Sequence, residues 1–433
     1  MASIAVAILG FGTVGSGVYR VLTENHKDIL HREGIDFQVK RILGRALDPA
    51  VERNLDMAPM DAYVTSIEDI TADPDVQVVV ECMGGVEPAK TFILAALNAG
   101  KTVVTSNKEV MSKHWPEFEA AAKSTGAGLY LEATVGGGIP ILRTITDSLQ
   151  ANNITQVMGI INGTTNFILS KMSEEGGDFA EVLKEAQRLG YAEANPAADV
   201  EGFDATYKLS ILSSMAFHAH MPIENIYREG ITKLSAADFE TARQLGYEIK
   251  LLAIGKKEDS NIEVRVHPTM IPKTHPLAAV RGSFNAIFLK GNAVDDVMLY
   301  GRGAGQMPTA SAVVADVIYA CHHQGKHRYM TFANIPGMSR EVNLVKDWES
   351  VYYIRVLVKD EPGVLCAISG VLAKHGVSLK TVLQFGEGTG KGEQACITFV
   401  THKAHELGVQ AALKEVEQLP VVDNIQSVIR VEE

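Results

Sequence analysis

The sequence predicts an α/β protein in three parts: a parallel sheet with helices on both faces, a middle α+β region, and a small C-terminal βαββαβ unit. Three observations lead to this prediction. Short runs rich in β-branched residues alternate with helical patterns as far as about residue 134. Helices and then consecutive strand-like runs follow, and residues 351–433 show the ferredoxin-like order. With 433 residues, the chain is long enough for several cores.

The N-terminal element is a strand followed by a glycine-rich turn. Residues 4–9 are apolar and rich in β-branched side chains, and a helical pattern follows the turn. In a G-x-G-x-x-G motif, one glycine makes the tight turn, one lets the backbone approach a pyrophosphate, and one lets helix and strand pack closely. The helix N-terminus offers free N–H groups to the phosphates. The motif in this position predicts a Rossmann-like dinucleotide-binding domain, with the cofactor on Gly10, Phe11, Gly12, Thr13, Val14 and Gly15.

Further strands of the first part end where a ligand is expected. The runs at residues 37–43, 76–80, 101–105 and 128–131 predict strands, and residues 88–98 predict a helix. In such sheets the ligand lies beyond the carboxyl ends of the strands. Lys108 comes just after one of these ends, where Ser106 or Asn107 can cap the next helix. This position favours a functional lysine over an ordinary surface lysine.

A glycine-rich stretch at residues 135–140 marks a crossover into a second domain. Residues 154–161 predict a strand, helical segments follow to about residue 221, and strand-like runs occupy residues 248–256, 262–271 and 283–290. We interpret residues 135–301 as an α+β substrate and oligomerisation domain. A helix at about residues 308–322 follows, and we expect residues 302–325 to return to the first domain, residues 1–134.

Residues 351–433 predict a separate ferredoxin-like domain after a linker at residues 326–350. The turn between its first strand and first helix resembles that of the ACT domain, an amino-acid-sensing module. The turn residues expected to contact a ligand are Asp360, Pro362, Gly363, Val364 and Leu365. A packing domain without a ligand is the alternative, because a fold alone does not set function. We expect removal of the chain after about residue 345 to leave a catalytic core.

Acidic residues gather around one lysine in the middle region. Glu193 and Asp199 follow a glycine turn, and Asp204 and Lys208 come next. Asp204 and Lys208 are spaced i,i+4, so they share one helix face. An exposed ion pair of little energetic value is the simpler interpretation of this spacing. The cluster also suits a substrate that carries an ammonium group.

Composition excludes some classes of function. The formal net charge of -12 disfavours binding to nucleic acid or to an anionic membrane. No apolar run is long enough for a transmembrane helix. The four cysteines are scattered, which is typical of a reducing, cytoplasmic location. The histidines at 322, 323 and 327, near Cys321, fit no common zinc spacing, so we expect no metal there.

Taken together and in this order, these motifs resemble homoserine dehydrogenase, in the longer bacterial form that carries an ACT domain. The resemblance spans nearly the whole chain. It implies the reversible, NAD(P)H-dependent reduction of L-aspartate 4-semialdehyde to L-homoserine. It also implies that Lys208 is the proton donor in reduction, that Lys108 contacts cofactor and substrate, and that Asp204 contacts the substrate. Glu193, helped by Asp199, would hold the substrate ammonium.

The resemblance further implies a sodium site and additional cofactor contacts. The sodium ligands would be Glu132 and the carbonyl groups of Val135, Gly137 and Ile139. Gly190 and Gly305 would contact the cofactor through their backbones. Arg45 follows the second strand, where an arginine suits a 2′-phosphate and an acid suits NAD. We therefore expect a preference for NADP(H) over NAD(H), although Asp48 lies nearby.

Two other classes of protein remain open at this point. One is another ACT-bearing dehydrogenase, of hydroxy acids or prephenate, for which a catalytic histidine motif is expected and is not found. The other is a non-catalytic regulator that senses nucleotides and amino acids. The resemblance also implies a homodimer or homotetramer, with threonine as the amino acid that the ACT domain binds.

Overall fold

The computed structural model describes residues 2–44, 54–323, 342–385 and 394–432. The chain forms two compact units. Unit 1 consists of Met1–Gly163, Asp204–Ile226 and Phe284–Glu341. Unit 2 consists of Thr164–Phe203, Tyr227–Ser283 and Val342–Glu433.

The helices and strands are named in chain order. The helices are α1 (Thr13–Glu24), α2 (His26–Glu33), α3 (Glu68–Thr71), α4 (Ala89–Asn98), α5 (Lys108–Thr125), α6 (Ile141–Arg143), α7 (Gly163–Glu175), α8 (Phe179–Arg188), α9 (Ala197–Val200), α10 (Phe203–Phe217), α11 (Ala236–Gln244), α12 (Gln306–His322), α13 (Val364–Lys374) and α14 (Glu406–Val416). The strands are β1 (Ala2–Leu9), β2 (Ile35–Leu43), β3 (Tyr63–Val64), β4 (Val76–Glu81), β5 (Thr102–Thr105), β6 (Leu129–Tyr130), β7 (Ile154–Ile160), β8 (Tyr227–Arg228), β9 (Tyr247–Glu258), β10 (Asn261–Pro272), β11 (Phe284–Gly291), β12 (Asp295–Arg302), β13 (Asn343–Leu344), β14 (Glu349–Lys359), β15 (Leu379–Phe385), β16 (Gln394–Thr401), β17 (Ala404–His405) and β18 (Val422–Val431).

Unit 1 contains the predicted parallel sheet, in the order β3-β2-β1-β4-β5-β6. The strand order reverses between β1 and β4, and in such sheets that reversal opens a crevice at the carboxyl ends. Val6 and Ile8 of β1 are buried in one core with Val18 of α1 and with Val313 and Val317 of α12. Helix α12 therefore packs on the parallel sheet, although it lies some 290 residues along the chain from α1.

Unit 1 also holds an antiparallel group in which β11 pairs with β7 on one side and β12 on the other. The sequence pattern did not predict β12. Asp295, Asp296 and Gly301 have low strand propensity. Met298 and Tyr300 point outward and are exposed, so the strand lacks the apolar run that identified β11.

Unit 2 contains the sheet β9-β10-β18-β14-β16-β15. Elements β14, α13, β15, β16, α14 and β18 follow the predicted βαββαβ order and have their own core. This C-terminal domain is continuous with the rest of unit 2, because β18 pairs with β14 and also, in parallel, with β10 through Thr269–Arg430 and Met270–Val431.

The predicted linker is structured where it is described. Residues Asn343–Leu344 pair with β10, and the buried Trp348 packs edge-on against Tyr227 at a centroid distance of 5.1 Å. Arg265 is fully buried and bonds Glu432 at 2.6 Å. Removal of the chain after residue 345 would leave this guanidinium without its nearest carboxylate. The contacts therefore argue against the expectation that such a deletion leaves an intact catalytic core.

A second arginine ties β18 to the rest of unit 2. Arg430 has none of its surface exposed, and each guanidinium nitrogen has a partner. Nε and Nη2 donate to Glu406, Nη1 donates to Glu229 at 2.7 Å, and Nη2 also donates to Tyr227 Oη at 2.7 Å. We call Arg430, Glu406, Glu229 and Tyr227 the Arg430 cluster.

Candidate active site

The glycine turn after β1 makes a cradle that a side chain would fill. Gly10 has φ +89°, and a Cβ on it would lie 2.9 Å from the carbonyl oxygen of Cys82. A Cβ on Gly15 would lie 1.9 Å from the carbonyl oxygen of Gly10, so α1 packs directly on the turn. Gly12 stands at the N-cap of α1, whose first residue is Thr13. The backbone N–H groups at this end of the helix are placed for an anion.

Two loops at the carboxyl ends of β4 and β5 are held together by buried polar groups. Glu81 is fully buried, and its carboxylate accepts from Met83 N at 2.7 Å and from Thr105 Oγ1 at 2.6 Å. Burial raises the pKa of Glu81 despite these hydrogen bonds. Asn107 caps α5 by accepting from Val110 N at 3.2 Å. This arrangement fixes the start of α5.

Lys108 is the first residue of α5, and its ammonium reaches a carboxylate on α10. Lys108 Nζ lies 3.4 Å from Asp204 Oδ1, and the Lys108 side chain is 42% exposed. It can therefore contact a ligand from solvent while it remains bound to Asp204. Sequence reasoning named both residues but did not predict their contact, because they are far apart in the chain.

Asp204 and Lys208 form a buried ion pair near the start of α10. Each residue is 8% exposed, and Lys208 Nζ lies 2.6 Å from Asp204 Oδ2. Lys208 Nζ also donates to the carbonyl oxygen of Ile161 at 2.9 Å, and Asn162 Nδ2 donates to Asp204 Oδ2 at 2.8 Å. The interpretation as an exposed ion pair is therefore wrong. We call Asp204, Lys208, Lys108 and Asn162 the Asp204 cluster.

The electrostatics of this cluster favour an ionised Asp204. Burial alone would raise the pKa of Asp204, but the charges of Lys208 and Lys108 outweigh burial and hold the pKa well below its usual range. An ammonium group has three N–H donors, and within the described residues Lys208 uses two of them, on Ile161 and Asp204. One donor is left for a substrate oxygen.

Glu132 lies in a second buried cluster of unit 1. Its carboxylate accepts from Leu142 N at 2.9 Å and Arg143 N at 2.7 Å, and its own backbone N–H donates to Asp316 Oδ2 at 2.8 Å. The Arg143 guanidinium bonds the other oxygen of Asp316. Burial, and next the charge of Asp316, raise the pKa of Glu132. Sequence reasoning missed Asp316, because it lies 184 residues from Glu132 in the chain.

The loop after Glu132 packs against a second glycine loop. A Cβ on Gly137 would lie 2.5 Å from the carbonyl of Gly303, and a Cβ on Gly303 would lie 1.8 Å from Asn285 Nδ2. Asn285 is fully buried, and neither atom of its amide has a hydrogen-bond partner among the described residues. Gly305, with φ +122°, is the N-cap of α12. Val135 and Ile139 are also buried in this loop.

The predicted ammonium-binding residues belong to unit 2. Glu193 is exposed, and its carbonyl oxygen accepts from Gln187 Nε2 at 3.1 Å. Asp199 lies in the short helix α9 and is partly buried. Gly190, with φ +78°, is the second residue after the end of α8. Thr164 Oγ1 donates to the carbonyl of Tyr191 at 2.6 Å, which holds the same turn from α7.

The predicted regulatory turn borders a cavity of about 460 Å³. It is lined by the residues of the turn and by Gln384 and Ile397 from the neighbouring strands. Gly363 has φ +98° and precedes α13, whose first residue is Val364. The first backbone N–H groups of α13 therefore lie next to the turn in the chain.

The remaining predictions concern the cofactor-selecting Arg45, the histidines near Cys321 and the absence of a transmembrane helix. Arg45 and Asp48 lie outside the described residues, as does the histidine at 327. In the part of the chain that the structure describes, no group of three or more His, Cys, Asp or Glu side chains could hold a metal ion. His322 instead bonds Glu33 at 3.0 Å. None of the described helices is both long and apolar enough to span a membrane.

A glycine cradle at the switch point of a parallel sheet, with a buried lysine and carboxylate in the same unit, defines a nicotinamide-nucleotide-dependent oxidoreductase that carries a C-terminal ACT domain. Comparison with known proteins agrees. The family model described as homoserine dehydrogenase matches residues 140–318, that of its NAD-binding domain matches residues 10–132, and that of the ACT domain matches residues 352–421.

Relatives match over the full length. The homoserine dehydrogenase of Bacillus subtilis is 41% identical over 435 residues, which cover 100% of this chain and 99% of the relative. A crystal structure of a homoserine dehydrogenase from Thiobacillus denitrificans has a TM-score of 0.92 at 41% identity and covers 100% of this chain and 99% of that one. A hyperthermophilic archaeal homoserine dehydrogenase in complex with NADPH has a TM-score of 0.62 at 28% identity and covers 74% of this chain and 98% of that one. The chain belongs to the homoserine dehydrogenase family.

The activity follows from this membership. The protein is an NAD(P)-dependent oxidoreductase that interconverts L-homoserine and L-aspartate 4-semialdehyde, a step of amino-acid biosynthesis. The other two classes of protein left open by the sequence are thereby set aside.

Proposed function

We propose that Lys208 is the acid and base of this reaction and that Asp204 and Lys108 assist it. The bound reduced nicotinamide supplies a hydride for the aldehyde carbon. Lys208 Nζ gives a proton to the oxygen that becomes the hydroxyl group, and it takes that proton back in the oxidation of homoserine. The observation that carries the proposal is the buried ammonium of Lys208, which has one N–H donor without a partner among the described residues.

The neighbouring charges have separate tasks in this proposal. Asp204 keeps Lys208 in place through the 2.6 Å contact and also contacts the substrate. Lys108 is anchored at its Nζ by Asp204 but is partly exposed, so it can contact both substrate and cofactor. Glu193, with Asp199, binds the substrate ammonium, and its exposed carboxylate is open to such a ligand.

The cradle of unit 1 fits a dinucleotide. No side chain fills the turn at Gly10 and Gly15, and the end of α1 offers backbone N–H groups to a pyrophosphate. Gly305 and Gly190 add backbone contacts. We propose a preference for NADP(H) through Arg45, and the NADPH complex of the archaeal relative supports this choice. The test is kcat/KM for each cofactor with the wild type and Arg45→Ala; an NAD(H) preference that Arg45→Ala does not change would contradict it.

The loop after Glu132 fits a hard monovalent cation. Each Glu132 carboxylate oxygen accepts one backbone N–H and keeps a further lone pair, and the loop that follows Glu132 has backbone carbonyl groups, which are hard oxygen ligands. The unpartnered amide of Asn285 lies behind the neighbouring glycine loop. We propose that sodium binds to Glu132 and to the carbonyl groups of Val135, Gly137 and Ile139.

The cavity at the ACT turn fits an amino-acid effector. Its volume of about 460 Å³ accommodates a small molecule, and the N-terminus of α13 suits a carboxylate. We propose that threonine binds there and favours a less active state. We also propose that the protein is cytoplasmic, in line with its four free cysteines. We further propose that it is a homodimer or homotetramer.

One experiment tests the substrate assignment. With Glu193→Gln, the KM for L-homoserine should rise about tenfold while kcat holds, because one charge-assisted contact to the ammonium is lost. Steady-state oxidation of L-homoserine, with Glu181→Gln on the exposed face of α8 as the matched control, measures this. An unchanged kcat/KM would show that Glu193 does not bind the substrate.

A further inference from the structure

Asn162 occupies a position that neither the sequence pattern nor the family comparison singles out. It is the second residue after β7 and directly precedes the helix that begins at Gly163. The residue is 5% exposed, and its Nδ2 donates to Asp204 Oδ2 at 2.8 Å. The carbonyl oxygen of the preceding residue, Ile161, accepts from Lys208 Nζ at 2.9 Å. Two consecutive residues therefore hold the two members of the buried ion pair.

The type of donor matters for what Asn162 can do. A carboxylate held only by lysines can turn about its Cβ–Cγ bond, because an ammonium group can donate hydrogen bonds in many directions. An amide N–H to Asp204 Oδ2 fixes the plane of the carboxylate, and Oδ1 is then left for Lys108. The amide is neutral, so it orients Asp204 without adding a third positive charge to the site.

We propose that Asn162 is a positioning residue for proton transfer, whose amide fixes the Asp204 carboxylate and thereby the direction of the one uncommitted N–H of Lys208. The inference rests on the proposed roles of Lys208 and Asp204. The simpler alternative is that Asn162 only stabilises the Asn-Gly turn after β7. The two alternatives differ in whether substitution changes proton transfer or only folding.

The first variant removes the donor. In Asn162→Ala, kcat for L-homoserine oxidation should fall about ten- to a hundredfold, because a hydrogen bond to a charged group is lost and Lys208 is less well oriented. The KM for the cofactor should stay within about twofold, since the glycine cradle is untouched. The matched control is Asn152→Ala at the other end of β7, where Asn152 Oδ1 accepts from Val294 N at 2.8 Å.

The second variant keeps the shape and adds a charge. In Asn162→Asp a carboxylate faces Asp204, and the charged groups around it are Lys208 on the same helix as Asp204 and Lys108 on α5. The added negative charge stabilises the ammonium form of Lys208. Oxidation needs the free amine, so the acid limb of the kcat–pH profile should move upward by about one pH unit.

Thermal unfolding of each variant is measured beside the kinetics. The proposal holds if both Asn162 variants change kcat or the pH profile as stated while Asn152→Ala changes neither. It is overturned if the Asn162 variants lose stability but keep the wild-type kcat and pH profile. Lys208→Ala separates the two levels of the argument: full turnover in that variant overturns the proposed function and this inference together. An inactive Lys208→Ala with unaltered Asn162 variants overturns this inference alone.

Discussion

The Asp204 cluster of unit 1 and the Arg430 cluster of unit 2 bury opposite charges in different ways. In the Arg430 cluster every guanidinium nitrogen has a protein partner, and the arginine has no exposed surface. In the Asp204 cluster one donor of Lys208 is uncommitted and Lys108 remains partly exposed. The guanidinium of Arg430 therefore has a protein partner on every nitrogen, whereas Lys208 keeps one N–H that has no partner among the described residues.

The largest expected effect comes from a substitution in the Asp204 cluster. Lys208→Ala should lower kcat by about two to four orders of magnitude, because the proton-transfer group is lost. Cofactor affinity should survive, since the glycine turn of α1 is unchanged. Turnover and cofactor binding are measured on the purified variant, with Lys184→Ala on an exposed position of α8 as control. Near-normal turnover in Lys208→Ala would remove Lys208 from the mechanism.

The next largest effect comes from a substitution in the Arg430 cluster. Arg430→Met should lower the free energy of unfolding by about 3–5 kcal/mol, because Glu406 and Glu229 lose their buried partner. Arg243→Met is the control: its pair with Glu240 is exposed and screened by solvent, so it should contribute far less to the free energy of unfolding. Urea unfolding measures both. Equal losses in the two variants would mean that burial does not distinguish these pairs.

The pH dependence of stability tests how strongly Arg430 stabilises the ionised carboxylate of Glu406. Burial would raise the pKa of Glu406, but the hydrogen bond and charge of Arg430 outweigh it and lower the pKa. A carboxyl group with a lowered folded pKa contributes stability above its unfolded pKa of about 4.3, and that stability is lost as pH falls through the folded pKa. Below about pH 4.3 the free energy of unfolding of Glu406→Gln should therefore fall less steeply with pH than that of the wild type. The two slopes should differ by at most about 1.4 kcal/mol per pH unit. Parallel slopes in wild type and variant would contradict this account.

The smallest expected effect concerns the backbone N–H groups at the start of α13, which we propose bind the effector. Gly363→Ala should weaken threonine inhibition several-fold, because φ +98° is strained for alanine and the N–H groups that begin α13 would move. Gly376→Ala is a matched control, since Gly376 also has positive φ in the same domain but does not line the cavity. Inhibition curves at fixed homoserine decide between them. Identical curves for all three proteins would place the effector elsewhere.

Sequence patterns predicted the strands that are buried on both faces along most of their length. Strands β1, β4 and β10 appear as apolar runs, and the fold class was confirmed. The short strands β8 and β13 were missed because two residues leave no periodicity to detect. Strand β12 was missed because its outward side chains are polar or exposed.

The site was predicted less completely than the fold. Motifs named Lys208, Asp204 and Lys108, but the burial that makes their contacts strong depends on packing between distant segments. Glu81 and Asn162 were missed, although Glu81 is the last residue of β4 and Asn162 lies two residues after the end of β7, and those positions were a usable signal. Whether Glu193 and the sodium loop act as the resemblance implies stays a prediction.

One edge of β10 is covered in succession by β13, β8 and the last two residues of β18, and each of them pairs with β10 over only two residues. Two of them come from far later in the chain, at residues 343–344 and 430–431. During synthesis, the hairpin of β9 and β10 therefore leaves the ribosome with most of that edge open, and closing such long loops is slow. An open strand edge readily pairs with another chain. We expect nascent and C-terminally shortened chains to need chaperones, and their yield in the soluble fraction to depend on the rate of translation.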